Sequence, residues 1–398
     1  MRRRVLLYSH DTVGLGHIRR ITAVARSIAD RDPDCSILIL SGSPLADAHS
    51  LPQNVDIIKL PAVRKVLNSR YEARRLGISR DSVLALRAGL IQSTVQEFKP
   101  ELFIVDKVPM GVHGELRAAL DTALGIGCRV VLSLRDILDA PDEVARNWKS
   151  ENAWEAIRKY YDRVLIWGSP EVFDAVREYD FPADIAAKAE YCGYIAAGEG
   201  DEQPALRRPG KRLALATVGG GEDGFQLLHT FVRSLQHTRT RFASVVLMGP
   251  DLAEEHRREL RRLVTTCENP VFAVDFTRHV DRLLEAADVV VTMGGYNTLC
   301  EVLSRGRRAI VVPRVHPRRE QLLRAERFHH LGLVKMIHPE ELSPESLALA
   351  LDHELSDPAR EPVNRLDFRG LRRALDVLFP SAEVLDGSGL AAGSQVQR

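Results

Sequence analysis

Two stretches of this 398-residue chain hold residue types whose spacing could do chemistry. The first is Gly294-Gly295-Tyr296-Asn297-Thr298, with Glu301 three positions further on. Paired glycines remove Cβ at a turn, so main-chain N–H groups can approach a ligand closely. Leu299, Val302 and Leu303 form a helical stripe from that point. A helix starting there aims its free N–H groups and positive dipole end at an anion. Glu301, about one turn in, reaches back toward the same mouth, where a carboxylate accepts two hydrogen bonds from vicinal hydroxyls. Arg318-Arg319-Glu320-Gln321 opens the next helix and adds a polar cluster. Phosphate donors, a diol acceptor and that cluster suit a nucleotide joined to a sugar. The plainer reading of Glu301 is a surface carboxylate paired with Arg305 at i+4.

The second stretch is Gly14-Leu15-Gly16-His17. His17 falls at the carboxyl end of a predicted strand and the amino terminus of a predicted helix. The helix dipole there lowers the imidazole pKa and favours the neutral, proton-accepting form, which makes His17 a candidate base. A locally hydrogen-bonded helix-start residue is the alternative. The glycine spacing is wrong for a dinucleotide fingerprint, since no third glycine follows at the required place.

The elements that must position these residues read as short β-branched runs alternating with helical stripes. Predicted strands cover 5–9, 36–40, 55–60, 102–106, 129–134 and 162–167, then 213–218, 244–248, 271–276, 288–292 and 308–313. Regular β–α alternation with short links predicts an α/β chain of two doubly wound parallel sheets. Such sheets keep their chemistry at the carboxyl ends of strands, so Asp106, Arg135 and Asp136 are acceptor-side candidates, structural ion pairs being the alternative. Gly219-Gly220-Gly221 again opens a helix and can face a diphosphate, although Glu222 and Asp223 lie close by. Periodicity breaks once, in a Gly- and Pro-rich polar stretch. The predicted division is therefore 1–196, a linker over 197–210, a second domain over 211–362, a last helix within 363–379, and a disordered tail over 380–398.

Lys plus Arg number 55 against 54 for Asp plus Glu, a balance that argues against a dedicated nucleic-acid binder. Five cysteines without a C-x-x-C pair predict reduced, buried thiols and a cytoplasmic chain. The Arg2-Arg3-Arg4 start resembles a signal peptide, but Ser9-His10-Asp11 cut the apolar run short. No apolar window approaches membrane-spanning length. Asp30-Arg31-Asp32 has a metal-binding D-x-D spacing, yet Pro33 makes it a solvated turn. Six basic residues between 64 and 80 form either a docking patch, for phosphate on an acceptor or for an anionic membrane surface, or a charged, solvated loop.

The motifs GG-x-NT with Glu301, Val311-Val312-Pro313, Arg319-Glu320-Gln321 and the amino-terminal G-x-GH together resemble family 28, MurG-like glycosyltransferases over roughly residues 5 to 340. The resemblance implies the GT-B fold, two Rossmann-like domains facing across a cleft, with the last helix returning to the first domain. It implies an inverting, metal-independent transfer from a UDP-sugar, N-acetylglucosamine being the family's familiar sugar, to an unidentified glycan, lipid-linked or small-molecule hydroxyl. No cofactor is expected, and the location would be cytoplasmic or peripheral at the inner membrane face. By the same resemblance, Gly14, Gly16 and His17 face the acceptor, and Gly219, Gly220 and Gly221 meet phosphate. Thr277 and Val280 hold uracil, with Gly294, Gly295, Tyr296, Asn297 and Thr298 around the diphosphate. Glu301 binds the ribose, and Glu320 and Gln321 the donor sugar. Gly221 stands where the family has Ser or Thr, and Glu320 where it has Gln. A sugar-nucleotide epimerase and a non-catalytic nucleotide-sugar sensor are the alternatives on the same fold.

Overall fold

The computed structural model describes residues 2–11, 16–43, 51–65, 71–195, 212–277, 279–356 and 366–380. Gly14, the predicted linker and the tail beyond 380 lie outside the described residues.

The first domain is a seven-stranded parallel sheet in the order β3-β2-β1-β6-β7-β8-β9. Its strands are β1 Arg4–Ser9, β2 Ser36–Ser41, β3 Val55–Lys59, β6 Leu102–Asp106, β7 Arg129–Arg135, β8 Arg163–Trp167 and β9 Ala189–Tyr191. Helices α1 Gly16–Arg31, α2 Arg80–Phe98, α3 Arg117–Gly125, α4 Pro141–Ser150 and α5 Ala153–Tyr160 cover it, with single turns α6 Ala175–Glu178 and α7 Ala183–Ala186. Because both faces are covered, the central strands are apolar throughout rather than alternating. The basic stretch after residue 63 is not simply a loop. Strands β4 Val63–Lys65 and β5 Tyr71–Ala73 pair antiparallel, since Val63, Tyr71 and Ala73 bury one face against Val83 and Val112.

The second domain is a six-stranded parallel sheet, β12-β11-β10-β13-β14-β15. Its strands are β10 Leu213–Thr217, β11 Ala243–Leu247, β12 Val271–Val274, β13 Val289–Thr292, β14 Arg308–Val311 and β15 Lys335–Met336. Helices α8 Phe225–Ser234, α9 Glu254–Thr265, α10 Val280–Ala286, α11 Tyr296–Ser304, α12 Glu320–His330 and α13 Pro344–Ser356 surround it. In each sheet the strand order reverses beside the first strand, between β1 and β6 and between β10 and β13. Ligands of doubly wound sheets bind at the carboxyl ends of such switch points.

The last helix, α14 Gly370–Leu378, crosses back to the first domain, where Asp376 pairs with Arg31 at 2.7 Å and the Leu378 carbonyl accepts from Arg129 at 3.0 Å. It starts at Gly370 for a steric reason, because a Cβ there would lie 2.5 Å from the Tyr194 carbonyl oxygen. One apolar core runs through both domains, with Tyr194 stacked on Tyr296 and edge-on to Phe328. Cys35, Cys128, Cys192 and Cys300 are buried and Cys267 half-buried, all as free thiols. No helix among the described residues is long and apolar enough to cross a membrane.

Candidate active site in the interdomain cleft

A cleft of about 2160 Å³ separates the domains, and both switch points open into it. His10, Gly16, His17, Lys107 and Arg135 line one wall. Gly219, Gly220, Gly221, Thr277, Val280, Gly295, Tyr296, Asn297, Thr298, Glu301, Glu320 and Gln321 line the other.

His17 is buried, with its Nδ1 2.5 Å from Asp106 Oδ2. The other carboxylate oxygen of Asp106 accepts from Arg20 at 2.5 Å. A carboxylate on Nδ1 holds that nitrogen protonated and leaves Nε2 as the free acceptor, the arrangement of an oriented general base. Burial opposes charge on Asp106, but Arg20 and His17 outweigh it and hold the carboxyl well below its usual range. Burial also pushes the imidazole down to about 4, against the pull of Asp106. Free imidazole titrates at about 6.5. A rate that needs neutral His17 should therefore stay flat from about pH 8 to about pH 5 and fall with an acid limb near 4. A limb near 6.5 in a kcat/KM profile would contradict this environment. The stability sign agrees: the unfolded chain takes a proton near 6.5 that the folded chain refuses until about 4. This contribution is thus complete above the unfolded value and lost as pH falls through that window.

Asp106 was thus rightly placed at a strand end, but it faces His17 and Arg20 rather than an acceptor. Asp136 is a correction as well. It is buried with Arg324 of α12, whose Nη2 and Nε donate to its two oxygens at 2.7 and 2.9 Å, the structural ion pair that was the alternative for it. Arg324 also donates to the carbonyls of Gly294 and Ile137. The pair ties the two domains together and leaves no carboxylate oxygen for a ligand.

On the second domain, α11 begins at Tyr296 with no side-chain cap, so its first N–H groups face the cleft. Gly294 has φ +80, and a Cβ there would meet Val311 at 2.9 Å. That glycine shapes the turn, while Gly295 lines the cleft. The Tyr296 ring is packed in the interdomain core, so only its main chain is available to a phosphate. Asn297 Nδ2 donates across the cleft to the Gly16 carbonyl at 2.8 Å. Glu301 lies in the cleft with its carboxylate against Arg19 of α1. Arg305, the partner of the plainer reading, donates instead to the Glu301 main-chain carbonyl at 3.0 Å.

Gly219 and Gly221 both have positive φ, at 65° and 99°. A Cβ on Gly221 would lie 2.5 Å from the Met248 carbonyl oxygen, which explains why no Ser or Thr stands there. The acidity of Asp223 is met by Arg314 at 2.8 Å. Thr277 caps the turn before α10 by accepting from the His279 N–H at 3.0 Å. Gln321 accepts from the Arg314 N–H at 3.1 Å. Glu320 is buried at the start of α12, and burial would raise its pKa, but Arg135, Lys107, Arg318 and Arg314 hold it at about 2. Asp32 of the D-x-D pattern pairs with Arg3 at 3.3 Å.

Four residues here escaped the sequence reading: Arg19, Arg20, Lys107 and Arg324. Arg20 carried a usable signal, since three residues after His17 puts it on the same helix face. The others are brought in by tertiary packing alone.

Two parallel doubly wound sheets facing across a cleft define the GT-B architecture. It is shared with MurG of Acinetobacter baumannii (TM-score 0.58, 13% identity, 95% of this chain and 99% of that one). It is also shared with a Listeria monocytogenes protein described as a UDP-N-acetylglucosamine 2-epimerase (TM-score 0.64, 13% identity, 100% of both chains). Residues 215–367 match the glycosyltransferase family 28 C-terminal domain. A Rubrobacter xylanophilus UDP-N-acetylglucosamine–N-acetylmuramyl-(pentapeptide) pyrophosphoryl-undecaprenol N-acetylglucosamine transferase is 31% identical over 199 residues, 48% of this chain and 54% of that protein. The chain thus spans about half the length of the curated relatives it matches.

Proposed function

We propose that the protein is an inverting glycosyltransferase that moves a sugar from a UDP-sugar to an acceptor hydroxyl. The observation that carries this is the meeting, across one cleft, of an oriented base in the first domain with a nucleotide-shaped constellation in the second. The diphosphate sits on the N–H groups that open α11 and on the Gly219–Gly221 loop. Uracil lies over Thr277 and Val280, and the ribose diol donates to Glu301, whose carboxylate it shares with Arg19. Glu320 and Gln321 face the sugar.

In the reaction, His17 Nε2 takes the proton of the acceptor hydroxyl as its oxygen attacks the anomeric carbon. The bond from that carbon to the phosphate oxygen breaks on the opposite side, inverting the centre, and UDP leaves. Developing phosphate charge is met by helix N–H groups and arginines, so turnover should survive a chelator. Asp106 keeps the imidazole tautomer, and Arg20 keeps Asp106 ionised. The same geometry speaks against an epimerase, because Asp106 and Glu320 are held ionised by cations rather than left as paired acids flanking a sugar.

The test is product analysis of UDP-sugars with and without lipid-linked, glycan and small-molecule acceptors, with acceptors also presented on anionic vesicles. Arg75, Leu76 and Ile78 expose a mixed basic and apolar face suited to such a surface. The proposal expects acceptor-dependent UDP release with a glycosylated product. Conversion of the sugar nucleotide without acceptor would favour epimerisation, and binding without any turnover would favour a sensor.

A further inference from the structure

The transfer just described accounts for the phosphates but not for the cations that gather at the sugar end of the cleft. Lys107 follows the strand-end Asp106 in a left-handed conformation (φ 69°), one that side-chain residues rarely adopt and that concentrates at functional sites. Its main chain is fixed by donation to the Ser133 carbonyl at 2.8 Å. Arg135 ends the adjacent strand. Arg314 and Arg318 come from the loop before α12, and all four cations act on the single carboxylate of Glu320.

The pairing there is incomplete. Arg135 Nη2 stands 3.9 Å from Glu320 Oε1, too far for a hydrogen bond. Arg135 Nε and Glu320 Oε2 are buried without a hydrogen-bond partner, although Glu320 is only 6% exposed. Asp223 answers part of the charge on Arg314. Lys107, Arg135 and Arg318 thus share the Glu320 carboxylate, since Asp106 and Asp136, which also act on Lys107 and Arg135, are already paired with Arg20 and Arg324. Burial and its arginine neighbours push the Lys107 ammonium well below its ordinary pKa, another sign that positive charge is in excess here. Leaving the buried Arg135 Nε unsatisfied costs free energy that a bound oxyanion would recover. The diphosphate has its own donors on α11 and the Gly219–Gly221 loop. The surplus sits instead around Glu320, where the sugar would lie.

We propose that the transferred sugar is itself acidic: a hexuronic acid whose carboxylate is held by Arg135 and Lys107, with Arg318 opposite, while Glu320 accepts from its hydroxyls. The inference rests on the UDP-sugar reading above. The carboxylate takes no part in bond making, and the residues act as specificity determinants.

The test is calorimetric binding of UDP, UDP-glucose and UDP-glucuronic acid, without acceptor, to the whole chain and to R135M and K107M. Recovering hydrogen bonds to a charged group should favour UDP-glucuronic acid over UDP-glucose by about tenfold or more. R135M should abolish that preference and K107M weaken it. R135K, which keeps the charge but loses the fork, should retain part of it if R135M folds poorly. Equal binding of the two sugar nucleotides by the unaltered chain, or a preference untouched in R135M, would overturn the proposal. Failure of UDP itself to bind would instead sink the nucleotide reading, so the two failures are distinguishable.

Discussion

Replacing His17 with alanine is expected to lower kcat by about 10²–10⁴ while leaving the affinity for UDP within about twofold. The asymmetry follows from where the residue stands. His17 belongs to the first domain and, as the proposed base, would meet the acceptor proton only as the new bond forms, whereas the proposed nucleotide contacts belong to the second domain. Asp106→Asn should also slow turnover, because an amide no longer fixes Nδ1–H and no longer offsets Arg20. Asp106 touches no substrate, so its removal should shift the acid limb of the pH profile as well as the rate. That shift separates positioning from a merely structural role. Transfer kinetics and UDP titration on the same preparations provide the check. Equal loss of kcat and UDP affinity, or no loss of either, would retire His17 as the base.

Asp136→Ala should destabilise the protein by about 3–5 kcal/mol, because it leaves the Arg324 guanidinium buried without its counter-ion. Only two carbonyls, at 3.2 and 3.3 Å, would remain to it. Desolvation makes the single deletion severe, and it also predicts relief: D136L combined with R324M should recover much of the loss, since two apolar groups need no pairing. Chemical unfolding followed by circular dichroism reads both. A D136A midpoint indistinguishable from the unaltered chain would show that the pair does not hold the domains.

The sheets were legible because their strands are short β-branched runs separated by amphipathic stripes, and the switch points follow from that alternation. Gly294-Gly295 with Glu301 was legible because strand, turn and helix start are contiguous, so local geometry alone aims the carboxylate at the cleft. His17 was legible for the same reason. Its partner was not, since Asp106 lies 89 positions away, and strand-end carboxylates look alike in sequence whether they face a ligand, a base or a guanidinium. Asp136 shows this directly: its partner Arg324 is 188 residues on, in the other domain. The β4–β5 hairpin was hidden because charged residues alternate with the few apolar ones that bury it. Lys107 gave no signal, as nothing local announces a left-handed backbone at a non-glycine residue.

The nucleotide assignment stands on the Glu301 carboxylate, and it is tested most directly by titrating UDP and its 2′,3′-dideoxy analogue into the unaltered chain and E301A. The ribose contact predicts that the unaltered chain prefers UDP by about tenfold or more, and that E301A binds both equally and weakly. A chain that ignores UDP, or an E301A variant that still tells the diol from its absence, would contradict it.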